Sequence, residues 1–307
     1  MVTSVRWSKM IPVALALLAP AALAQTGKGD VVYVPTPQVV VDEMLRMGKV
    51  GAKDFLIDLG SGDGRIVITA AKKLGARGFG VDLDQYLLKI ANANAAKEGV
   101  SDRARFVEQN LFETDLSQAT VITSYLLPEM NRKLRAKLLT LKPGTRVVAH
   151  DYSMGQWTAD EEKTLIVPEK TVGDAGKSYV YLYIVPANIG GTWESQIPIG
   201  AAAVPYVFNF DQEFQVVTGQ LRAGSSEASL PRFKVNGDEV TFAVTATVDG
   251  KPVVHRFRGW VKGDTIEGNV TMSGDATGQR VIPWAAKQTA RRPLGMGSDA
   301  VAAAGAR

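Results

Sequence analysis

Two periods of apolar residues divide the chain. Between residues 54 and 186, short apolar runs at Phe55–Asp58, Gly78–Asp82, Arg105–Glu108, Thr120–Tyr125, Arg146–His150 and Lys177–Pro186 alternate with stretches of helical period. Runs of that length fit buried strands, and their alternation with amphipathic helices predicts an α/β domain with a mostly parallel sheet and right-handed crossovers. In Tyr86–Lys97, Leu87, Ile90, Ala91 and Ala95 share one helical face and Gly99 offers a stop; in Met130–Leu141, Leu134, Leu138 and Leu139 do the same. Upstream, Val40, Val41, Met44, Leu45 and Met47 predict a first helix, with Thr36 as its cap and Pro37 in its first turn.

After Asn188-Ile189-Gly190-Gly191 the helical period disappears. Gln215–Leu221, Phe233–Val235, Val240–Val248, Val253–Val261 and Thr265–Met272 carry strand alternation, separated by hairpin signals such as Asn236-Gly237, Asp249-Gly250 and Gly263-Asp264. They predict a small antiparallel β-barrel-like domain, a form that removes exposed edges, framed by Trp193 and Trp284. It holds no recognisable catalytic cluster, so interaction or shielding is its expected task, with ligand binding inside the barrel as the lesser alternative. The organisation read from these patterns is a leader over 1–24, an α/β domain over 25–188, an antiparallel β domain over 189–290, and an alanine- and glycine-rich tail over 291–307 expected to be disordered.

The chemistry concentrates at Asp58-Leu59-Gly60-Ser61-Gly62-Asp63-Gly64-Arg65, where the first strand meets a helix. Glycines there permit backbone angles and a close approach that a Cβ would block, and the helix start offers unpaired N–H groups. A dinucleotide fingerprint needs glycine where Arg65 stands, which disfavours a nicotinamide oxidoreductase. The next strand ends in Asp82-Leu83-Asp84, at the spacing from the glycine turn where α/β nucleotide sites place an acid for a ribose diol. Asp82 is the expected ribose ligand, because a carboxylate accepts strongly from both hydroxyls.

The turn from Asp58 to Gly64 followed by Asp82 resembles the cofactor motifs of class I S-adenosylmethionine (SAM) dependent methyltransferases. With Val34-Pro35-Thr36-Pro37 and Leu126-Leu127-Pro128, the segment from Tyr33 to Trp157 most resembles the small lysine methyltransferases that modify the ATP synthase c-subunit and the adenine nucleotide translocase. The resemblance covers about half the chain. It implies a Rossmann-like sheet, SAM as cofactor, and transfer of a methyl group to an amine, either a protein lysine or a small molecule. It further implies that Asp58 places the methionine amino end while Gly60, Ser61, Gly62 and Gly64 let the backbone approach. Tyr33 and Thr36 become cofactor or lid residues, and Asn110 and Leu111 adenine contacts. Asn110 departs from the family's usual acid, and a neutral amide accepts more weakly. Ser124 and Tyr125 end the fourth strand, where an open α/β sheet collects its reactive groups. A Tyr-Leu-Leu-Pro run lacks the Asn/Asp-Pro-Pro-Tyr signature for planar nitrogens and suits an apolar channel for a lysine stem, with the Tyr125 hydroxyl orienting the amine. His150, isolated at a strand end, fits a structural role better than a general base.

Composition adjusts this picture at three points. No cysteine and only two histidines exclude disulfides, thiolate chemistry and histidine-rich metal sites, so no metal is expected. The formal charge of +4 includes Arg6 and Lys9 of the leader, and what remains is too small to argue for a nucleic-acid partner. Arg6 and Lys9 precede the apolar run Ile11–Leu18 and a small-residue site ending at Ala22-Leu23-Ala24, which reads as a signal peptide cleaved after Ala24. The mature chain is then expected to be periplasmic, with no stable membrane span. SAM is made in the cytoplasm, so export raises a rival reading: a non-enzymatic binding or scaffold protein on a methyltransferase fold.

Overall fold

The computed structural model describes residues 32–199, 202–248, 250–274 and 278–298. The expected signal peptide lies outside them. Among the described residues no helix is long and apolar enough to cross a membrane.

The first half is a seven-stranded sheet. Its elements are α1 (Gln38–Met47), β1 (Phe55–Leu59), α2 (Arg65–Leu74), β2 (Arg77–Asp82), α3 (Gln85–Lys97), β3 (Ala104–Glu108), β4 (Val121–Ser124), α4 (Pro128–Leu138), β5 (Arg146–His150), β6 (Glu161–Ile166) and β7 (Lys177–Ile184). The spatial order is β3-β2-β1-β4-β5-β7-β6, parallel from β3 to β5, with β7 antiparallel to both its neighbours. Strand order therefore reverses between β1 and β4, which opens a crevice beyond their carboxyl ends. Helices α1, α2 and α3 bury Val40, Met44, Val67, Ala71 and Ala91 against one face of the sheet. On the other face α4 packs Leu134 and Leu138 onto Ile57, Ile122 and Val147.

Two details depart from the sequence reading. Thr36 does not cap α1; Pro37 occupies the cap position without a side-chain bond, and the Thr36 hydroxyl meets His150 Nδ1 at 3.2 Å. A fully buried imidazole needs a partner more than an exposed helix end does, since the helix end has water. The edge strand β6 has no counterpart in the pattern, because it is exposed along nearly its whole length and carries no apolar alternation.

The second half is a closed barrel of eight antiparallel strands: β8 (Gly191–Ile199), β9 (Ala202–Glu213), β10 (Val216–Ala223), β11 (Ser226–Asn236), β12 (Glu239–Val248), β13 (Lys251–Lys262), β14 (Thr265–Gly274) and β15 (Gly278–Arg291). Closure comes from β8, which pairs with both β9 and β15. Inward residues alternate along each strand, and Phe208, Phe242, Phe257 and Trp284 fill the interior edge-to-face and stacked, with centroids 4.9–6.2 Å apart.

The β9–β10 hairpin of the barrel is keyed into the sheet half. Between β9 and β10 the chain turns through Phe214, held at φ +51, and its ring enters the core beside α4. There it stacks nearly parallel to Trp157 at 6.4 Å, with the Arg135 guanidinium 5.3 Å from its centre. Residues 292–298, expected within a disordered tail, instead run back along this hairpin: Gly295 pairs with Glu213, and Leu294 and Met296 pack against the same core. Their apolar side chains find a face left uncovered by α4.

Candidate functional site

The crevice between β1 and β4 is a cleft of about 310 Å³. Its wall contains Tyr33, Thr36, Asp58, Gly60, Ser61, Asp82, Asn110, Leu111 and Tyr125, nine of the residues singled out from the sequence. Gly62 and Gly64 shape it from behind. Gly62 sits at φ +52, and a Cβ there would lie 2.2 Å from Cε2 of Tyr33. Gly64 caps α2 in the left-handed region, where a Cβ would lie 2.5 Å from the Phe106 ring. The glycines thus let one aromatic ring close over the loop and another pack beneath it. Ser124 lies elsewhere: strand alternation buries it within β4, and only Tyr125 reaches the wall.

Asp82 holds the cleft's two loops together. Its Oδ2 accepts from the Gly62 N–H at 2.9 Å and its Oδ1 from the Asp84 N–H at 3.0 Å. A carboxylate has further lone pairs, and these remain for a ligand. The second acid, Asp84, instead caps α3, accepting from Tyr86 and Leu87.

Asp58 is nearly fully buried and accepts from the Thr123 hydroxyl at 2.7 Å. Burial pushes its carboxyl up to about 7, and the nearby charges of Asp82 and Asp63 add to the rise. A cationic group in the cleft would favour its ionised form. Beside it the Ser61 hydroxyl is buried without a hydrogen-bond partner among the described residues. A buried acid short of a counter-charge, an unpaired hydroxyl and a glycine cradle together fit the amino-acid end of SAM, with Asp82 placed for its ribose.

Asn110 turns back on its own loop. Its Oδ1 accepts from the Phe112 N–H at 3.0 Å, an Asx turn that presents Leu111 and Phe112 to the cleft.

The segment before α1 forms a lid, and its latch is not among the residues the sequence singles out. Arg65 grips Asp63 through two parallel bonds, at 2.9 and 2.6 Å, and reaches across to the Thr36 carbonyl at 2.8 Å. Asp63, Arg65, Gln109, Met130 and Lys133 also line the cleft. The one available signal is an arginine in the first turn of a helix, where the macrodipole disfavours a cation unless an acid holds it.

A buried polar network braces the acceptor side. Tyr125 donates to Asp151 Oδ2 at 2.9 Å, and the same oxygen receives Lys170 Nζ at 2.7 Å. Asp151 takes φ +59 to reach this position, and its other oxygen accepts from the Tyr179 N–H at 3.1 Å. His150 bridges Thr36 and Ser178; burial pushes its pKa down to about 4, so it is neutral near pH 7 and off the cleft wall. Burial and the carboxylate beside it raise the Tyr125 phenol, keeping its proton in place.

Residues 58–161 match a family model described as the ANTKMT methyltransferase domain. A protein-lysine N-methyltransferase of Saccharolobus islandicus is 44% identical over 155 residues, which span 50% of this chain and 92% of that protein. The lysine N-methyltransferase of the ATP synthase c-subunit from Mus musculus is 32% identical over 159 residues, 52% of this chain but only 60% of that relative. Among solved structures, an RNA methyltransferase from Salinibacter ruber in complex with S-adenosyl-L-homocysteine is 48% identical, covering 51% of this chain and 96% of that one with a TM-score of 0.46.

Proposed function

Since the chain belongs to the family of SAM-dependent protein-lysine methyltransferases, we propose that it transfers a methyl group to the side-chain amine of a lysine in a partner protein. Bound SAM supplies an electrophilic methyl on a sulfonium. In this reading Asp58, Ser61 and the Gly60 backbone, which line the cleft, hold its amino-acid end, Asp82 its ribose, and Leu111 with Asn110 its base. The chain's task is then positioning, which alone supplies several kcal/mol of a displacement barrier.

One observation carries the acceptor side. Tyr125 is on the cleft wall, and its hydroxyl hydrogen is committed to Asp151. Its oxygen therefore faces an incoming group only as an acceptor, suited to an amine N–H. An amine so held keeps its lone pair free for attack. Leu126, Met130 and the aromatic rims supply apolar wall for a lysine stem, and such surroundings lower an amine's pKa toward the neutral, reactive form.

The test is direct. Purified full-length protein is incubated with tritiated SAM and an extract of source cells lacking the gene, and the labelled material is hydrolysed. Label recovered as methyl-lysine supports the reading; label in nucleosides, or in another amino acid, overturns it. Export to the periplasm belongs to the same proposal, supported by the basic and apolar N-terminal pattern, and is checked by fractionating cells for the processed chain.

A further inference from the structure

The face of the sheet that carries α4 is unevenly covered. α4 packs on its middle, and the Phe214 hairpin with residues 294–296 covers the β5–β7 side. The link from β3 to β4 contains neither helix nor strand; it packs Leu116 and Ala119 into the core with Ile57, Leu59 and Val81, and leaves the amino ends of β1, β2 and β3 less covered. What lies there is a groove of about 390 Å³ lined by Phe55, Phe79, Val107, Arg77, Arg103 and Arg105, with Asp102 at its margin.

Its chemistry is unusual for bare surface. Register places Phe55 beside Arg77 and Phe79 beside both Ile57 and Arg105, so these side chains emerge on one face. The two phenyl rings meet edge to face at 6.0 Å and form an apolar floor. Three guanidiniums surround it. Arg77 and Arg105 make no side-chain hydrogen bond or ion pair among the described residues. Arg103 comes no nearer to Asp102 than 3.7 Å, beyond hydrogen-bond range, and its Nε is shielded from solvent with no partner. Arg65 and Arg258, by contrast, are each gripped by an acid, Asp63 and Glu239. Three like charges facing one carboxylate leave an excess of two positive charges, whose mutual repulsion a bound dianion would remove.

We propose that this groove binds a small organic phosphate monoester, its phosphate gripped by Arg77, Arg103 and Arg105 and its flat apolar part laid on Phe55 and Phe79. A phosphate ester near pH 7 carries close to two negative charges, matching the excess, and guanidinium forks suit its oxygens in parallel pairs. A carboxylate would leave half the excess standing. The site is separate from methyl transfer: Phe55, Arg77 and Arg103 lie at the amino ends of the strands, opposite the cofactor cleft, and Gln109 alone lines both. A charged edge strand by itself discourages strand-to-strand aggregation. That role accounts for Arg105 on β3 but not for an aromatic floor or for three arginines lining one groove.

Phenyl phosphate is the probe, titrated into isotope-labelled full-length protein and followed by NMR, with inorganic phosphate as the comparison. The amides of Phe79, Arg105 and Val107 should shift, phenyl phosphate should bind about tenfold more tightly than inorganic phosphate because of the floor, and salt should weaken both. The double change Arg77→Gln, Arg105→Gln should weaken binding by about tenfold or more, with SAM titration of the same variant unchanged as the check that it folds. Equal binding of the two phosphates, shifts that map elsewhere, or undiminished binding by the double variant would overturn the assignment. Phenyl phosphate binding by a variant with Phe79→Ala as tightly as by the parent would overturn the floor.

Discussion

Asp58 is where local environment and chemistry are most tightly joined. Its carboxyl, near 3.8 in an unfolded chain, is held at about 7 by burial, so the folded protein binds a proton that the unfolded one has released. The stability it contributes is therefore full below about pH 4 and is lost as pH rises through 7. His150 acts in the opposite sense, its depressed pKa removing stability as pH falls from 6.5 toward 4. Calorimetric melts of the parent and Asp58→Asn from pH 4 to 8 isolate the first effect: their difference should shrink or reverse across that window. SAM affinity should rise with pH up to about 7 in the parent and be flat in the variant. At Tyr125, removing the hydroxyl with Tyr125→Phe deletes one hydrogen-bond acceptor for the amine, so turnover should fall about tenfold while SAM affinity measured by titration stays unchanged. Asp58, Gly60 and Asp82 are legible in the sequence because the turn and strand end that carry them lie close together along the chain. Asp151 and Lys170 are not, since their meeting with Tyr125 spans 26 or more residues and depends on β7 running antiparallel.

At the scale of elements, the lid and the hairpin carry the account. Gly62→Ala introduces a Cβ into the Tyr33 ring at a positive φ, costing about 1–3 kcal/mol of backbone strain and displacing the lid. SAM should bind more weakly to this variant, and limited proteolysis should cut sooner between Val32 and Pro37. Phe214→Ala empties the keyed site beside Trp157 and should cost about 3–5 kcal/mol, read as a lowered melting temperature or as separate transitions for the sheet and barrel halves. The six strands read from the first half of the sequence all form: β1, β4 and β5 are buried along nearly their whole length, while β3 and β7 alternate. β8, β9 and β15 escape the pattern, and each carries a proline, Pro198, Pro205 and Pro283, where a strand pattern expects a ladder donor. The barrel places all three on its outer face, so their side chains leave the packed interior undisturbed.

Across the whole molecule, the barrel supplies cover that the sheet otherwise lacks. With a single helix on its second face, the methyltransferase half buries Trp157, Tyr183 and the apolar side of α4 only because Phe214, Leu294 and Met296 arrive from the other half of the chain. Nothing in the local pattern around residue 214 announces that contact, which joins segments nearly 60 residues apart. The cofactor assignment, by contrast, rests on elements within 25 residues of each other, and it is the claim on which the acceptor chemistry depends. Isothermal titration of the purified full-length chain with SAM, beside Asp82→Ala, tests it most directly. Removing a carboxylate that holds Gly62 and Asp84 and lines the cleft where the ribose is proposed to bind should weaken binding by about 10- to 100-fold, from a parent affinity in the micromolar range. A parent that gives no heat with millimolar SAM, or an Asp82→Ala variant that binds as tightly as the parent, would contradict the account.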